Sequence, residues 1–119
     1  MKTTVIISVY KNIAALRAIL RSLEQQTEQD FEIIISEDGE DTAMAQFVAN
    51  YPFRWAMQHI TQEDKGWRKN RVLNRSIVAA HTDWLIFIDG DCVLHPRFVE
   101  MHLRYSGKGR VLAGKRIKL

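Results

Sequence analysis

The chain has 119 residues, of which 46% are hydrophobic, with six glycines, two prolines and a single cysteine. This length and composition suit one small globular domain, and they exclude collagen-like, disulfide-rich and mostly disordered proteins. Charge is uneven: residues 1–60 carry five Lys+Arg against eight Asp+Glu, whereas residues 61–119 carry twelve against six, so the second half favours an anionic partner.

The first third of the chain predicts a strand, a helix and a second strand. The β-branched, mostly apolar run from Thr3 to Val9 predicts a strand that is buried on both faces. From Asn12, a candidate N-cap, apolar residues recur at helical spacing as far as Leu23. Phe31 to Ile35 predicts another buried strand, and an acidic turn follows it.

The first apolar run is much shorter than the roughly 20 residues of a membrane span and shorter than the apolar region of a secretion signal. We therefore expect a soluble chain in the reducing cytoplasm.

The middle of the chain predicts a helix, a weaker strand and a basic helix. Thr42 to Tyr51 is typical of a short helix, and Phe53 to Ile60 of a strand. A polar loop, Thr61 to Lys65, follows and is closed by Gly66. From Trp67 to His81 an apolar stripe on one face and three arginines on another predict a basic amphipathic helix.

The last part of the chain begins with its most hydrophobic short run. Trp84 to Ile88 predicts a strand in the middle of the sheet, and it stops abruptly at Asp89-Gly90-Asp91. Pro96 is placed to start a helix that runs to Tyr105, and Arg110 to Ala113 predicts one more strand before a basic tail. Strands that alternate with helices imply right-handed crossovers and a mostly parallel sheet.

Ligands of open parallel sheets bind outside the carboxyl ends of the strands. The residues that follow each apolar run are therefore the candidate site: Tyr10, Asp38, the loop 61–68, and Asp89 to Cys92. The four histidines show no ligand spacing with Cys92, so a zinc site is not expected.

Asp89-Gly90-Asp91 places two carboxylates at the end of a buried strand, where packing gives no reason for them. A divalent cation would cancel their repulsion, and Gly90 gives the backbone freedom to turn both towards one point. Because the ligands are hard oxygens, Mg²⁺ or Mn²⁺ fits best. The alternative is an ordinary solvated turn, since Asp and Gly are common turn residues.

Two further segments suit parts of a nucleotide. Asp38 is placed to accept hydrogen bonds from a base or a ribose, although its acidic neighbours are equally explained as solvated turn residues. Gly66 opens a helix whose first turn contains Arg68, which suits a phosphate, and Lys69 and Arg71 add to the positive field. Asn74, one turn beyond Arg71, is placed to reach the same ligand; the alternative is a water-facing basic stripe.

Four segments jointly resemble the nucleotide-binding half of a family 2 glycosyltransferase with the GT-A fold. They are residues 4–10, residues 33–39, residues 62–68 followed by Asn74, and residues 84–92, which contain a D-x-D pattern. The resemblance covers nearly the whole chain. It implies a three-layer α/β domain, Rossmann-like, with a mostly parallel central sheet and an incomplete C-terminal half. Residues 1–119 would then be one nucleotide-sugar-binding domain of a longer enzyme.

The resemblance also implies roles for individual residues. Asp38 would contact the base, Asp89 the ribose or the metal, and Asp91 the metal that bridges the diphosphate. Tyr10, Arg68 and Asn74 would complete the nucleotide site. The chain departs from the common family pattern at Val9, where a proline is usual, and at Glu37, where an aspartate is frequent, so base contacts are expected to differ in detail.

The activity that the resemblance implies is inverting transfer of a sugar from a nucleotide sugar, expected to be UDP-linked, to a saccharide or glycolipid acceptor. The general base and the acceptor site normally lie in a later half, expected beyond Leu119. We therefore expect this chain to bind the donor with metal but to transfer sugar poorly, and we expect peripheral association with the inner face of the membrane.

Two other interpretations remain open. The basic second half also suits a nucleic-acid-binding α/β domain, which would show salt-sensitive affinity that survives loss of Asp89 and Asp91. A non-catalytic structural domain would show no thermal shift with any sugar nucleotide. The resemblance favours a nucleotide sugar as partner and no nucleic acid.

Overall fold

A computed structural model describes residues 1–66, 68–90, 92–105 and 117–118. Within these residues the strands are β1 (Thr3–Val9), β2 (Phe31–Glu37), β3 (Met57–Ile60), β4 (Leu85–Asp89), β5 (Cys92–Val93) and β6 (Ile117–Lys118). The helices are α1 (Ile13–Glu24), α2 (Thr42–Asn50), α3 (Lys69–Ala79) and α4 (Phe98–Arg104). Strands and helices alternate through most of the chain, which confirms the predicted α/β class.

Strands β1 to β4 form one parallel sheet in the order β3-β2-β1-β4. In β1, Val5 lies opposite Ile33 of β2 on one side and Ile86 of β4 on the other. Strands β5 and β6 form a separate antiparallel pair. Because the four strands are parallel, all of their carboxyl ends lie at one edge of the sheet.

The two faces of the sheet differ in character. The first face packs against α1 in a core of aliphatic side chains from β1, β2 and β4, together with Leu16, Leu20 and Leu23 of α1. The second face lies under α3, which contacts β1, β2 and β3. On this face Ser76 of α3 lies 2.9 Å from the hydroxyl of Ser36 in β2. Both faces are buried along β1 and β2, as the continuous apolar runs predict.

The prediction that Trp84 to Ile88 lies in the middle of the sheet is wrong for the sheet formed by the described residues. Strand β4 lies at its edge, next to β1. Ile86 and Ile88 face the core beside α1, so burial explains why these two positions of the run are apolar. Phe87 points to the other side of the sheet and is 53% exposed. Hydrophobicity alone therefore misjudged the position of this strand.

Several predicted boundaries are too wide. The strand predicted from Phe53 begins only at Met57, because Phe53 instead packs its ring 4.8 Å from that of Tyr51. The basic helix, predicted over Trp67 to His81, spans Lys69–Ala79 and ends where Ala80 takes an extended backbone. The last helix is Phe98–Arg104. The strand predicted at residues 110–113 lies outside the described residues.

In the described part of the chain, no helix combines the length and the apolar character that crossing a bilayer requires. The longest helix, α1, has 12 residues. Location in the cytoplasm and association with a membrane face stay predictions.

Candidate functional site

A cleft of about 350 Å³ opens at the carboxyl ends of β1, β2 and β4. Its walls come from the ends of these strands and from the first turns of two helices. The lining residues are Ser8, Val9, Tyr10, Asn12, Ser36, Asp38, Lys69, Val72, Asp89 and Gly90. Three residues that the sequence singled out, Tyr10, Asp38 and Asp89, thus lie around one cavity; their roles in ligand binding stay predictions.

Asp38 follows β2 directly and is 6% exposed. Its Oδ1 accepts a hydrogen bond of 2.8 Å from Nε2 of Gln62, and its Oδ2 accepts one of 3.0 Å from the backbone N–H of Arg68. Its own backbone N–H donates to the carbonyl of Val9 in β1. A carboxylate oxygen accepts more than one hydrogen bond, so Asp38 is held in place and can still accept from a ligand.

Gln62 connects the loop after β3 to Asp38. Its Nε2 donates to Asp38 and, at 2.8 Å, to the carbonyl of Arg68, while its backbone N–H donates to the carbonyl of Gly39. Sequence reasoning placed Gln62 in the loop between base and diphosphate but gave it no role. The available signal was its place: it is a polar residue that follows a strand at the carboxyl edge of the sheet.

Arg68 reaches Asp38 through its backbone and not through its guanidinium. Its Nη2 donates to the carbonyl of Glu63 at 2.6 Å, so the side chain braces its own loop. Gly66, with φ at +73°, lets this loop turn in a conformation that side chains disfavour. Arg68 is the N-cap of α3 and does not line the cleft, and the predicted contact of its guanidinium with a phosphate stays a prediction.

The end of β4 brings a carboxylate and an ammonium group together in the cleft. Oδ1 of Asp89 lies 2.7 Å from Nζ of Lys69, the first residue of α3. Gly90 passes so close to β1 that a Cβ on it would collide with the carbonyl oxygen of Ser8. The glycine between the two aspartates is therefore required by packing against β1; its φ is not positive, so the turn itself does not demand a glycine. Asp91 lies outside the described residues.

The carboxylate of Asp89 has the chemistry that a divalent cation needs. Asp89 offers hard carboxylate oxygens at the cleft wall, which suits Mg²⁺ or Mn²⁺, ions that complete their coordination with water and phosphate oxygens. Among the described residues, no group of three or more His, Cys, Asp or Glu side chains forms a metal cage. Asp89 therefore fits a hard divalent cation as one ligand of a site, and the binding of such an ion stays a prediction.

The sequence did not predict the contact between Lys69 and Asp89. It indicated only that Lys69 adds positive charge near a phosphate site. The signal was its spacing from Val72, which is buried against the sheet and also lines the cleft. Residues three apart on a helix share a face, so Lys69 had to point the same way.

Asn74 and the other arginines of α3 lie elsewhere. Asn74 is exposed and two residues from buried Val72, which puts it on the opposite side of the helix from the cleft. Arg71 is exposed as well, and Arg75 donates to the carbonyl of Thr61 at 2.7 Å. The structure therefore does not bring Asn74 to this cleft, and its contact with a nucleotide stays a prediction.

Tyr10 forms the partition between the main cleft and a second one of about 310 Å³. Its hydroxyl donates to Oδ2 of Asp64 at 3.0 Å, and Nζ of Lys11 lies 3.7 Å from the same oxygen. Lys11 has a positive φ of 57°, which is uncommon for a side-chain-bearing residue. The segment after β1 is thus tied to the loop after β3 across the rim of the site.

Comparison with protein families gives one match over nearly the whole chain. The profile of the family described as Glycosyl transferase family 2 matches residues 4–118. The chain is 30% identical over 99 residues to validoxylamine A glucosyltransferase from Streptomyces hygroscopicus subsp. jinggangensis, covering 82% of this chain and 24% of that protein. It is 23% identical over 101 residues to hyaluronan synthase from Pasteurella multocida, covering 84% and 10%.

Solved structures share the fold. TarS of S. aureus in complex with UDP superposes with a TM-score of 0.77 at 18% identity, covering 96% of this chain and 38% of that one. The mannosyltransferase PcManGT from Pyrobaculum calidifontis, in complex with GDP-Man and Mn²⁺, gives a TM-score of 0.63 at 17% identity, covering 77% and 28%. The GT-A architecture expected from the sequence is confirmed by these likenesses. The chain spans about a quarter of the length of the glucosyltransferase that it matches.

Proposed function

The chain belongs to glycosyl transferase family 2, and we propose that its cleft binds the nucleotide part of a nucleotide sugar in a glycosyl transfer reaction. The observation that carries the proposal is the meeting of Tyr10, Asp38 and Asp89 around one cavity at the carboxyl edge of a parallel sheet. Because the chain spans only part of its relatives, the activity of the whole protein belongs to this proposal.

The base and ribose would lie against Asp38. Gln62 and the Arg68 backbone hold this carboxylate still, so a ligand meets an acceptor that is already oriented. A fixed acceptor costs less ordering on binding than a mobile one. Uracil is the proposed base; TarS was crystallised with UDP and with UDP-GlcNAc, which supports a nucleotide ligand at a cleft of this fold.

The diphosphate would lie towards Asp89 and Asp91, whose carboxylates would hold Mg²⁺ or Mn²⁺. When bound, the cation supplies Lewis-acid stabilisation of the departing nucleoside diphosphate. The hard oxygen of Asp89 at the cleft wall supports this assignment. PcManGT was crystallised with GDP-Man and Mn²⁺, which shows that a protein of similar fold takes such a pair.

The proposed transfer inverts the anomeric centre. An acceptor hydroxyl, from a saccharide or a glycolipid, attacks the anomeric carbon on the face opposite the leaving group. The C–O bond to the diphosphate breaks as the new glycosidic bond forms, and a carboxylate takes the hydroxyl proton. We assign that proton acceptor to none of the cleft residues, because Asp38 is proposed to bind the nucleobase and ribose and Asp89 the cation.

Calorimetric titration of the chain with UDP and Mn²⁺ tests the proposal. Asp91→Ala should weaken UDP binding about a hundredfold, because the cation loses a carboxylate ligand. Asp83→Ala, which removes an exposed carboxylate at the opposite edge of the sheet, is the matched control and should bind like the wild type. Equal UDP affinity in all three proteins would defeat the metal assignment.

The same preparations separate the other interpretations of the sequence. Salt-sensitive binding to DNA or RNA that persists in Asp91→Ala, without binding to UDP, would favour a nucleic-acid-binding domain. Absence of any thermal shift with a panel of sugar nucleotides would favour a non-catalytic domain.

A further inference from the structure

Lys69 places an ammonium group at the end of the cleft where β4 stops. Its Nζ lies 2.7 Å from Oδ1 of Asp89, and the two side chains are 31% and 43% exposed. A charge-assisted hydrogen bond of this length holds the lysine side chain between α3 and β4. The pair is only partly shielded from water, so separating it costs little.

We infer that Lys69 exchanges partners on ligand binding: it leaves Asp89 and binds the diphosphate of the nucleotide. This inference rests on the proposed function and adds a residue to the phosphate end of that site. A nucleoside diphosphate brings at least two negative charges into a cleft that already holds Asp38 and Asp89. Among the described residues that line the cleft, Lys69 is the cation.

The position of Lys69 on α3 favours the same exchange. It is the first residue of an 11-residue helix that has no acidic residue in its first turn and no side-chain cap. The partial positive charge of the helix N-terminus therefore adds to that of the ammonium. Lysine carries its charge on a flexible stem with rotatable donors, so a swing from a carboxylate to a nearby phosphate needs no movement of the helix.

The competing explanation is that Lys69 only positions Asp89. In that case its effect on the ligand passes entirely through the carboxylate and disappears when the carboxylate is removed. If Lys69 contacts the diphosphate itself, its effect persists without Asp89 and depends on the phosphates of the ligand. The two explanations therefore differ in a double-mutant cycle and in a comparison of ligands.

The test measures binding of UDP and of uridine by calorimetry. Lys69→Met, which keeps the length of the stem, should weaken UDP about tenfold and leave uridine unchanged. Lys69→Arg keeps the charge and should retain most of the UDP affinity. Lys2→Met is the matched control. Lys2 precedes β1 at the edge of the sheet opposite the cleft, and its Nζ also forms an ion pair, 2.8 Å from Glu28.

A second measurement excludes the positioning role. In an Asp89→Asn background without divalent cation, Lys69→Met should again weaken UDP about tenfold; loss of this effect would overturn the inference. Equal UDP affinity in the wild type and Lys69→Met would overturn it while leaving the proposed function intact. A wild-type chain that binds neither UDP nor GDP would instead contradict the proposed function, and the inference with it.

Discussion

The two ends of β2 each hold a buried carboxylate, and the fold satisfies them differently. Glu32, near the start of the strand, is 2% exposed. It accepts hydrogen bonds from the hydroxyl of Thr4 and the backbone N–H of His81, both at 2.6 Å, and lies 2.8 Å from Nδ1 of His81. Asp38, directly after the strand, has two donors and faces a cleft.

The comparison separates a structural carboxylate from a candidate binding carboxylate on the same strand. The partners of Glu32 come from β1 and from the segment after α3, so the residue fastens the amino edge of the sheet and its accepting capacity is used internally. Asp38 keeps accepting capacity on the side of the cavity. Burial and charge are alike in the two residues, so what distinguishes them is the number of internal donors and the open space beside them.

Loss of the Glu32 side chain should have the largest effect on stability. Glu32→Ala leaves the His81 backbone N–H without its acceptor and leaves the Thr4 hydroxyl only its contact with the Thr82 hydroxyl, so it should lower the free energy of unfolding by about 2–3 kcal/mol. UDP affinity should stay unchanged in the folded protein. Urea unfolding measures the first quantity and calorimetry the second. Glu28→Ala, which removes an exposed ion pair with Lys2, is the control and should cost under about 1 kcal/mol.

Asp38→Asn should weaken UDP binding, which Glu32→Ala leaves unchanged, and should lower the free energy of unfolding by less than Glu32→Ala does. An amide offers one oxygen where the carboxylate offers two, so its NH₂ group would face either Gln62 or the Arg68 backbone, both of which are donors. We expect about tenfold weaker UDP binding and a loss of stability of about 1 kcal/mol. Asp30→Asn, an exposed carboxylate near the amino terminus, is the control. A stability loss without an affinity loss would place Asp38 in the same class as Glu32.

The pH dependence of stability should show the smallest effect. Burial by itself would raise the pKa of Glu32, but the hydrogen bonds from Thr4 and His81 outweigh burial and hold the pKa below its ordinary value of 4.5. A lowered carboxyl pKa in the folded state contributes stability above the unfolded pKa, and this contribution is lost as pH falls through the folded pKa.

Unfolding of the wild type and of Glu32→Gln between pH 6 and pH 3 measures this contribution, since other acidic groups titrate in both proteins. The stability difference between the two should shrink as pH falls below about 4.5. A difference that grows on acidification would show that the pKa of Glu32 is raised and that the clamp at the amino edge is not formed.

The parts of the fold that local chemistry determines were predictable from the sequence. Mostly apolar, β-branched runs marked β1 and β2, and the parallel arrangement then put Asp38 and Asp89 at one edge. The contacts that hold these carboxylates were not predictable. Gln62 and Lys69 reach them from a loop and a helix whose approach depends on tertiary packing, and both side chains have ordinary surface alternatives.

Errors in the sequence-based expectations have the same origin. Phe53 has strong strand propensity but lies in a loop, where its ring packs at a tilt against that of Tyr51. Phe87 was expected in a strand at the middle of the sheet, yet α3 packs mainly against β1, β2 and β3. Asn74 was placed by its spacing from Arg71, whereas the buried residue Val72 decides which side of α3 meets the cleft.

The contact of Gly90 with the carbonyl oxygen of Ser8 has a consequence for redesign of this protein. A library that varies the residues around the cavity should keep position 90 as glycine, because any larger residue pushes β1 and β4 apart and moves Asp89 with them. Diversity belongs at Tyr10, whose ring is half exposed, and at neighbouring loop positions. Substitutions at these exposed positions would change the shape of the proposed donor site without moving the backbone of β1 and β4.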